Sequence, residues 1–377
     1  MHGDARMQRR VLITGGAGFI GSHVADALIA RGDRVRVLDA LLPQVHGSDR
    51  RRPAYLSADV ELVEGDVRDP AAVKRALASI DVVYHFASRV GVGQSMYELA
   101  DYTSVNNLGT AVLLEALIAT PVQRLVVASS MSVYGEGLYR DSRGRLHDRV
   151  QRTPDQIAGG RWDPRAEDGS ELAPVPTPET KPPLLASLYA LSKHDQERMC
   201  LMVGAAYKIP TVALRFFNVY GPRQALSNPY TGVLAIFAAR LLNGRPPLLF
   251  EDGRQQRDFV HARDAANACL LALDVEEAAG RAFNIASGRA MTIREVAERM
   301  AGILERNLAP HVTGQHRVGD IRHCTADLSL ARRVLGFAPQ VDFDRGMREL
   351  AVWLEAQSAV DRFEHMRAEL ADRGLAV

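Results

Sequence analysis

Cysteine is scarce and scattered in this chain: three in 377 residues, Cys200, Cys269 and Cys324, with no Cys-x-x-Cys pair and no Cys/His cluster. That argues against a disulfide framework and a structural zinc site, and it predicts a metal-free protein of a reducing, cytoplasmic compartment. An excess of either charge is missing too. Lys and Arg number 46 against 45 Asp and Glu, a formal net charge of +1, where a nucleic-acid-binding protein would show a basic excess or stripe. Long apolar runs are also absent. The longest, Val233 to Leu242, carries Arg240 and falls far short of the ~20 residues a membrane helix needs. Residues 1–7 hold no hydrophobic stretch of the secretory kind. Neither nucleic acid nor membrane is therefore an expected partner. What remains is an ordinary globular balance, 47% hydrophobic and 24% charged, with length for two or three lobes at roughly 150 residues each.

Strand-like and helix-like runs alternate over the first half. Residues 10–14, 35–38, 60–63, 81–86 and 124–128 read as strands, and helical spacing follows at 22–31, after Pro70 and over 101–119. This alternation predicts an α/β fold, a Rossmann-type doubly wound parallel sheet. A helix-like stretch at 184–207 and a strand at 211–215 extend that domain over residues 8–217, with a strand and a helix returning to it at about 256–287. Residues 218–355 then read as a smaller mixed α/β substrate lobe, and 356–377 as a polar helical tail. The segment 136–181 breaks the rhythm. It is rich in Arg, Asp, Gly and Pro, which predicts a lid, an interface or a partly disordered loop.

Gly15-x-x-Gly18-x-x-Gly21 follows the first strand, opens the first helix, and is answered by Asp39 at the end of the second strand. A dinucleotide needs this context: the glycines admit a pyrophosphate to the backbone at a helix N-terminus. Asp39 can accept from the adenosine ribose hydroxyls and would repel a 2′-phosphate. Ala40 rather than an arginine follows it, so NAD is preferred over NADP. In Tyr189-Ala190-Leu191-Ser192-Lys193 the phenol and ammonium lie four residues apart, on one helix face. A nearby cation lowers a phenol's pKa toward that of a usable base. Ser129-Ser130-Met131-Ser132-Val133-Tyr134-Gly135 directly follows the fifth strand, at the sheet edge where sites in such folds collect. His85 and His261 sit beside apolar residues and read as structural.

With these elements in order, the chain resembles the extended short-chain dehydrogenase/reductase superfamily, the NAD-dependent nucleotide-sugar epimerases and dehydratases. Gly65-Asp66-Val67, Val105-Asn106-Asn107-Leu108-Gly109-Thr110, Leu214 to Arg223, Arg257 to His261 and Arg317 to Arg322 extend the likeness over about 11–343. The resemblance implies that Phe19 and Ile20 line the pyrophosphate turn, Asp66 and Val67 contact adenine, and Ala87 flanks the nicotinamide half. It also implies that Asn106 meets the cofactor region, that Ser130 and Tyr189 are catalytic, and that Lys193 is the electrostatic partner of Tyr189 and a nicotinamide-ribose ligand. For a nucleotide-diphosphate sugar it implies Asn218, with Arg257 and Arg317 clamping the phosphates and Asp320 near the nucleoside or supporting Arg317.

Dehydratases of this superfamily carry an Asp-Glu pair after the catalytic Ser/Thr, and decarboxylases a Glu. Met131 and Ser132 stand here, so the resemblance favours an isomerase, a 4-epimerase working through a 4-keto sugar on tightly bound NAD. The stretches 218–224, 227–233 and 251–255, with Pro-Val-Pro-Thr-Pro-Glu at 174–179, are similar to deoxysugar epimerases, in particular those acting on dTDP-L-rhamnose. UDP-glucose or UDP-glucuronate 4-epimerases are the nearest rivals. A 4-ketosugar reductase and a non-catalytic NAD-binding scaffold are the other classes. In dimeric relatives the helices around 106–119 and 185–207 pair into a four-helix bundle, which implies a homodimer.

Overall fold

Val11, Leu12 and Ile13 are wholly buried in the strand Arg10–Thr14 (β1), as an apolar run must be when both faces of a parallel sheet are covered. In the computed structural model, which describes residues 8–224, 232–355 and 363–375, β1 lies inside a seven-stranded sheet. Its other strands are Arg34–Asp39 (β2), Glu61–Glu64 (β3), Val82–His85 (β4), Arg124–Ser130 (β5), Thr211–Phe216 (β6) and Arg281–Ile285 (β7). The order is β7-β6-β5-β4-β1-β2-β3, and every neighbouring pair is parallel. The winding reverses between β1 and β4. A doubly wound sheet opens its ligand crevice at that switch point, beyond the C-terminal ends of the strands.

The faces are covered by helices α1 (Phe19–Ala30), α2 (Gly109–Ala119), α3 (Leu188–Tyr207) and α4 (Ala262–Asp274). Val24, Ala25 and Leu28 of α1 share one core with Ala265, Ala268, Cys269 and Ala272 of α4. On the other face, Leu113, Leu114 and Leu117 of α2 and Cys200 of α3 pack with Val83, Leu125 and Val127. Before α2 the chain runs through a π-helical turn, Thr103–Leu108, with Val105 and Asn106 buried.

A separate mixed sheet joins Asn218–Tyr220, Gln256–His261, Ala290–Thr292 and His323–Cys324. Phe237, Leu241, Met291, Met300 and Leu350 form the core beside it. The segment 136–181, expected as a lid, an interface or a partly disordered loop, folds into an antiparallel sheet. Leu138–Arg140 is flanked there by Leu146–His147 and Ala173–Val175, and a short helix, Pro154–Ala158, is capped by Thr153. Its charged composition has a physical use. Fully buried Arg322 pairs with Asp163, Glu251 and Asp252, while Arg152 pairs with Glu136 and Glu251. Residues 1–7, 225–231, which take in most of the 227–233 stretch, and 356–362 and 376–377 of the tail lie outside the described residues. Among the described residues no helix is long and apolar enough to cross a membrane.

Candidate active site

The chain leaves β1 through Gly15 at φ +70°, where a Cβ would lie 2.8 Å from the Ala87 amide nitrogen. Only glycine lets this turn press against the loop that follows β4. At Gly21 a Cβ would meet the Gly16 Cα at 2.6 Å, so the first turn of α1 lies tight against the glycine turn that leads into it. Asp39, at the end of β2, accepts from the Ala17 amide at 3.0 Å and from the Leu41 amide at 2.9 Å. This backbone cradle, which a side chain would fill, with a carboxylate at its far end, fits the pyrophosphate and adenosine ribose of NAD.

The turn opens into a cleft of about 630 Å³, the size of a small-molecule site. Gly15, Gly18, Phe19, Ile20, Gly21, Asp39, Asp66, Val67 and Ala87 line one part of its wall. Ser130, Tyr189, Lys193, Asn218, Arg257, Arg317 and Asp320 line other parts of it. Asn106, expected to meet the cofactor region, stands outside this lining. Its buried amide oxygen accepts from the Arg89 amide at 2.6 Å, and its NH2 donates to the Arg89 carbonyl at 3.1 Å and to the Ser192 hydroxyl at 2.9 Å. It ties the loop after β4 to α3, behind the wall.

Tyr189 stands in the first turn of α3, which Ser187 caps by accepting from the Ala190 amide at 3.1 Å. Burial raises the phenol's pKa, and a hydrogen bond with Ser130 pulls it back down. The Tyr-x-x-x-Lys spacing predicted a phenol acidified by its lysine. The structure differs, because Lys193 Nζ donates instead to Gln196 Oε1 at 2.7 Å. Burial pushes the pKa of that ammonium down to about 8.

Gln196 was not legible as a site residue: it is one more polar residue on a helix until packing sets it against β4. Its NH2 donates to the Thr110 hydroxyl at 2.9 Å. His85 bridges Thr14 and Thr110 at 2.8 Å on each side, and burial drops its pKa to about 3, so the ring is neutral and structural. Behind Ser130, the Ser129 hydroxyl donates to Glu197 at 2.6 Å, and Arg215 pairs with the same carboxylate at 2.6 Å.

On the other side of the cleft, Arg257 donates to the carbonyls of Gln256, Ile321 and Arg322 at 2.7–2.9 Å and has no carboxylate partner among the described residues. Arg317 pairs with Asp320 at 2.8 Å and lies 4.5 Å over the Phe250 ring. Asn218 Oδ1 is buried without a partner. A cation lacking a counter-ion and an orphaned acceptor are features that a phosphorylated, hydroxylated ligand satisfies. The carboxylates along the described lining are Asp39, Asp66, Asp101 and Asp320. Arg68 holds Asp66 and Arg89 holds Asp101, each at 2.6 Å. Next to Ser130 the wall presents Met131 and Ser132.

The sequence model of the NAD dependent epimerase/dehydratase family matches residues 11–154 and 166–286. A dTDP-L-rhamnose 4-epimerase of Burkholderia thailandensis is 36% identical over 353 residues, covering 92% of this chain and 95% of that protein. A dTDP-glucose 4,6-dehydratase of Actinoplanes sp. is 31% identical over 362 residues, covering 92% and 98%. Among solved structures, the UDP-glucose 4-epimerase of Thermus thermophilus in complex with NAD matches with a TM-score of 0.72 at 33% identity, covering 93% of this chain and 100% of that one. With its glycine turn, its Tyr/Lys helix and its parallel sheet in the order just described, the chain belongs to the NAD dependent epimerase/dehydratase family.

Proposed function

We propose that the protein is a nucleotide-sugar 4-epimerase that interconverts dTDP-L-rhamnose and dTDP-6-deoxy-L-talose through a 4-keto sugar, with NAD retained. One observation carries the reading. Ser130, Tyr189 and Lys193 line the same cleft as the Gly15–Gly21 turn and Asp39, while Met131 and Ser132 follow Ser130. Bound on that turn, NAD supplies a two-electron acceptor that becomes the donor for the return step. Tyr189 takes the proton of the C4 hydroxyl and later gives it back, and Ser130 hydrogen-bonds the same oxygen. Lys193, tethered to Gln196, lines the same cleft and supplies positive charge to the pocket in which the phenolate forms. Arg257 and Arg317 anchor the diphosphate while the ketone presents its other face, because a released ketone would leave the enzyme reduced. Removing water from the sugar would require a further acid or base. The arginine-held carboxylates of this cleft offer none beside Ser130.

The 36% identity to a dTDP-L-rhamnose 4-epimerase supports that sugar over the UDP-glucose and UDP-glucuronate alternatives. We also infer a cytoplasmic homodimer. Three buried, unpaired cysteines support the compartment, and exposed Leu108, Leu191 and Met202 on and beside α2 and α3 support the assembly. The test is to incubate purified protein with dTDP-L-rhamnose and no added cofactor. The C4 epimer should form up to an equilibrium mixture, and denaturation should release NAD. Turnover that demands added reduced nicotinamide would make the protein a reductase. Faster epimerisation of UDP-glucose or UDP-glucuronate would replace the sugar while keeping the reaction.

A further inference from the structure

The last described residues of the chain return to the cleft. The helix Phe363–Asp372 is followed by Gly374 at φ +69°, whose amide donates to the Ala371 carbonyl at 2.9 Å, while the Leu375 amide donates to the Leu370 carbonyl at 2.8 Å. These two bonds are the Schellman ending of a helix, which brings the flanking apolar side chains together. Here they are Leu370 and Leu375, and both line the cleft. Leu370 is 1% exposed and packs with Leu248 and Phe250.

The segment is held from two directions. On one side the Val318 amide, next to Arg317, donates to the Leu375 carbonyl at 3.0 Å. On the other, the Tyr97 hydroxyl donates to Glu369 at 3.2 Å, and the Tyr97 ring lies 4.3 Å from the Arg373 guanidinium. Tyr97 is two residues beyond Ser95, whose hydroxyl accepts from the Tyr189 amide at 3.0 Å. One short piece of chain therefore joins the loop that supports Tyr189 to the loop that carries Arg317. A solvated polar tail would need neither the buried leucine nor the two anchors.

We infer that residues 368–375 are part of the substrate site and close its nucleoside end with the Leu370–Leu375 pair. The inference rests on the nucleotide-sugar reading above. In that reading Arg317 holds the diphosphate, and Arg317 lies over Phe250, which packs with Leu370. A diphosphate carries two substituents. Tyr189 and Ser130 take the sugar, so the apolar wall of Phe250, Leu248 and Leu370 is left for the flat face of the base. Apolar side chains there exclude water from the base and from the anchored phosphates.

The experiment compares full-length wild type, Leu370→Asp and Gly374→Val by calorimetric titration with dTDP, by steady-state epimerisation, and by NAD content. Leu370→Asp should weaken dTDP binding and raise KM by about tenfold or more, the scale of a lost leucine contact, with NAD content unchanged. Gly374→Val strains a left-handed position but keeps Leu370, so it should move both values the same way and less. If Leu370→Asp does not fold, Gly374→Val decides alone. Wild-type affinity and KM in the folded variants, in a protein that does epimerise, would overturn the inference. A wild type that neither binds dTDP nor epimerises a nucleotide sugar would overturn the functional reading instead.

Discussion

At Tyr189 two effects oppose each other: burial keeps the phenol protonated, and the Ser130 hydroxyl stabilises its anion. Tyr189→Phe removes the reacting oxygen and leaves the ring that fills the wall. Turnover should fall by about 10²–10⁴ with NAD still released on denaturation, and near-normal activity would remove Tyr189 as the base. Lys193 sets a pH limit. Its pKa is pushed down to about 8, so the charged form is present below that pH and is lost as pH rises through it, and turnover should decline with it. Gln196 accepts from the ammonium at 2.7 Å and thereby favours the charged form. Gln196→Leu should shift the alkaline limb of kcat to lower pH, and Gln196→Glu should shift it higher. A limb that moves in neither variant would refute the tether. Gly15, Asp39 and Tyr189 were readable because backbone geometry fixes their spacing. Gln196 was not, because its partners come from β4 and α2, and the Asn106 bonds to Arg89 and Ser192 likewise form only after those elements pack.

The strands and the glycine-opened helix were legible as elements because a strand buried on both faces must be continuously apolar. The sheet within 136–181 was not. Its order depends on Arg322, Glu251 and Asp252, residues at least 70 positions away from the insert, and no local pattern announces such an ion network. Helix α3 is also fastened to the sheet by a buried ion pair. Glu197 accepts from Ser129 on β5 and pairs with Arg215 on β6, and Arg215 also donates to the Tyr134 hydroxyl at 2.9 Å. Glu197→Ala would leave the guanidinium buried without its counter-charge, which costs about 3–5 kcal/mol in comparable sites. Chemical denaturation should record a loss of that size, and Glu197→Gln, which keeps an acceptor for both partners, should lose less. Equal stability in Glu197→Ala and wild type would show that the pair does not fasten the helix.

For the whole molecule the question is what covers the outer face of α2 and α3. Single exposed apolar side chains are ordinary on a protein surface, but here Leu108 is 53% exposed, Met202 58% and Leu191 41%. Asn107, beside Leu108 in the turn that leads into α2, donates to Asp195 of α3 at 2.6 Å, which brings Leu108 to the α3 side that carries Leu191. A second copy related by a two-fold axis would bury that face on both chains and complete four helices. Wild type should therefore sediment as a dimer at micromolar concentration. Each substituted residue occurs twice in an isologous interface, so Leu108→Glu combined with Met202→Glu would place four carboxylates in an apolar seam. Burying even one unpaired charge costs more than a leucine contact contributes, roughly 2 kcal/mol. The double variant should run as a monomer in sedimentation velocity. Its NAD content should be retained, because Gly15, Gly21 and Asp39 lie on other elements. A wild-type chain that is itself monomeric at those concentrations would show that this face has no second copy to cover it.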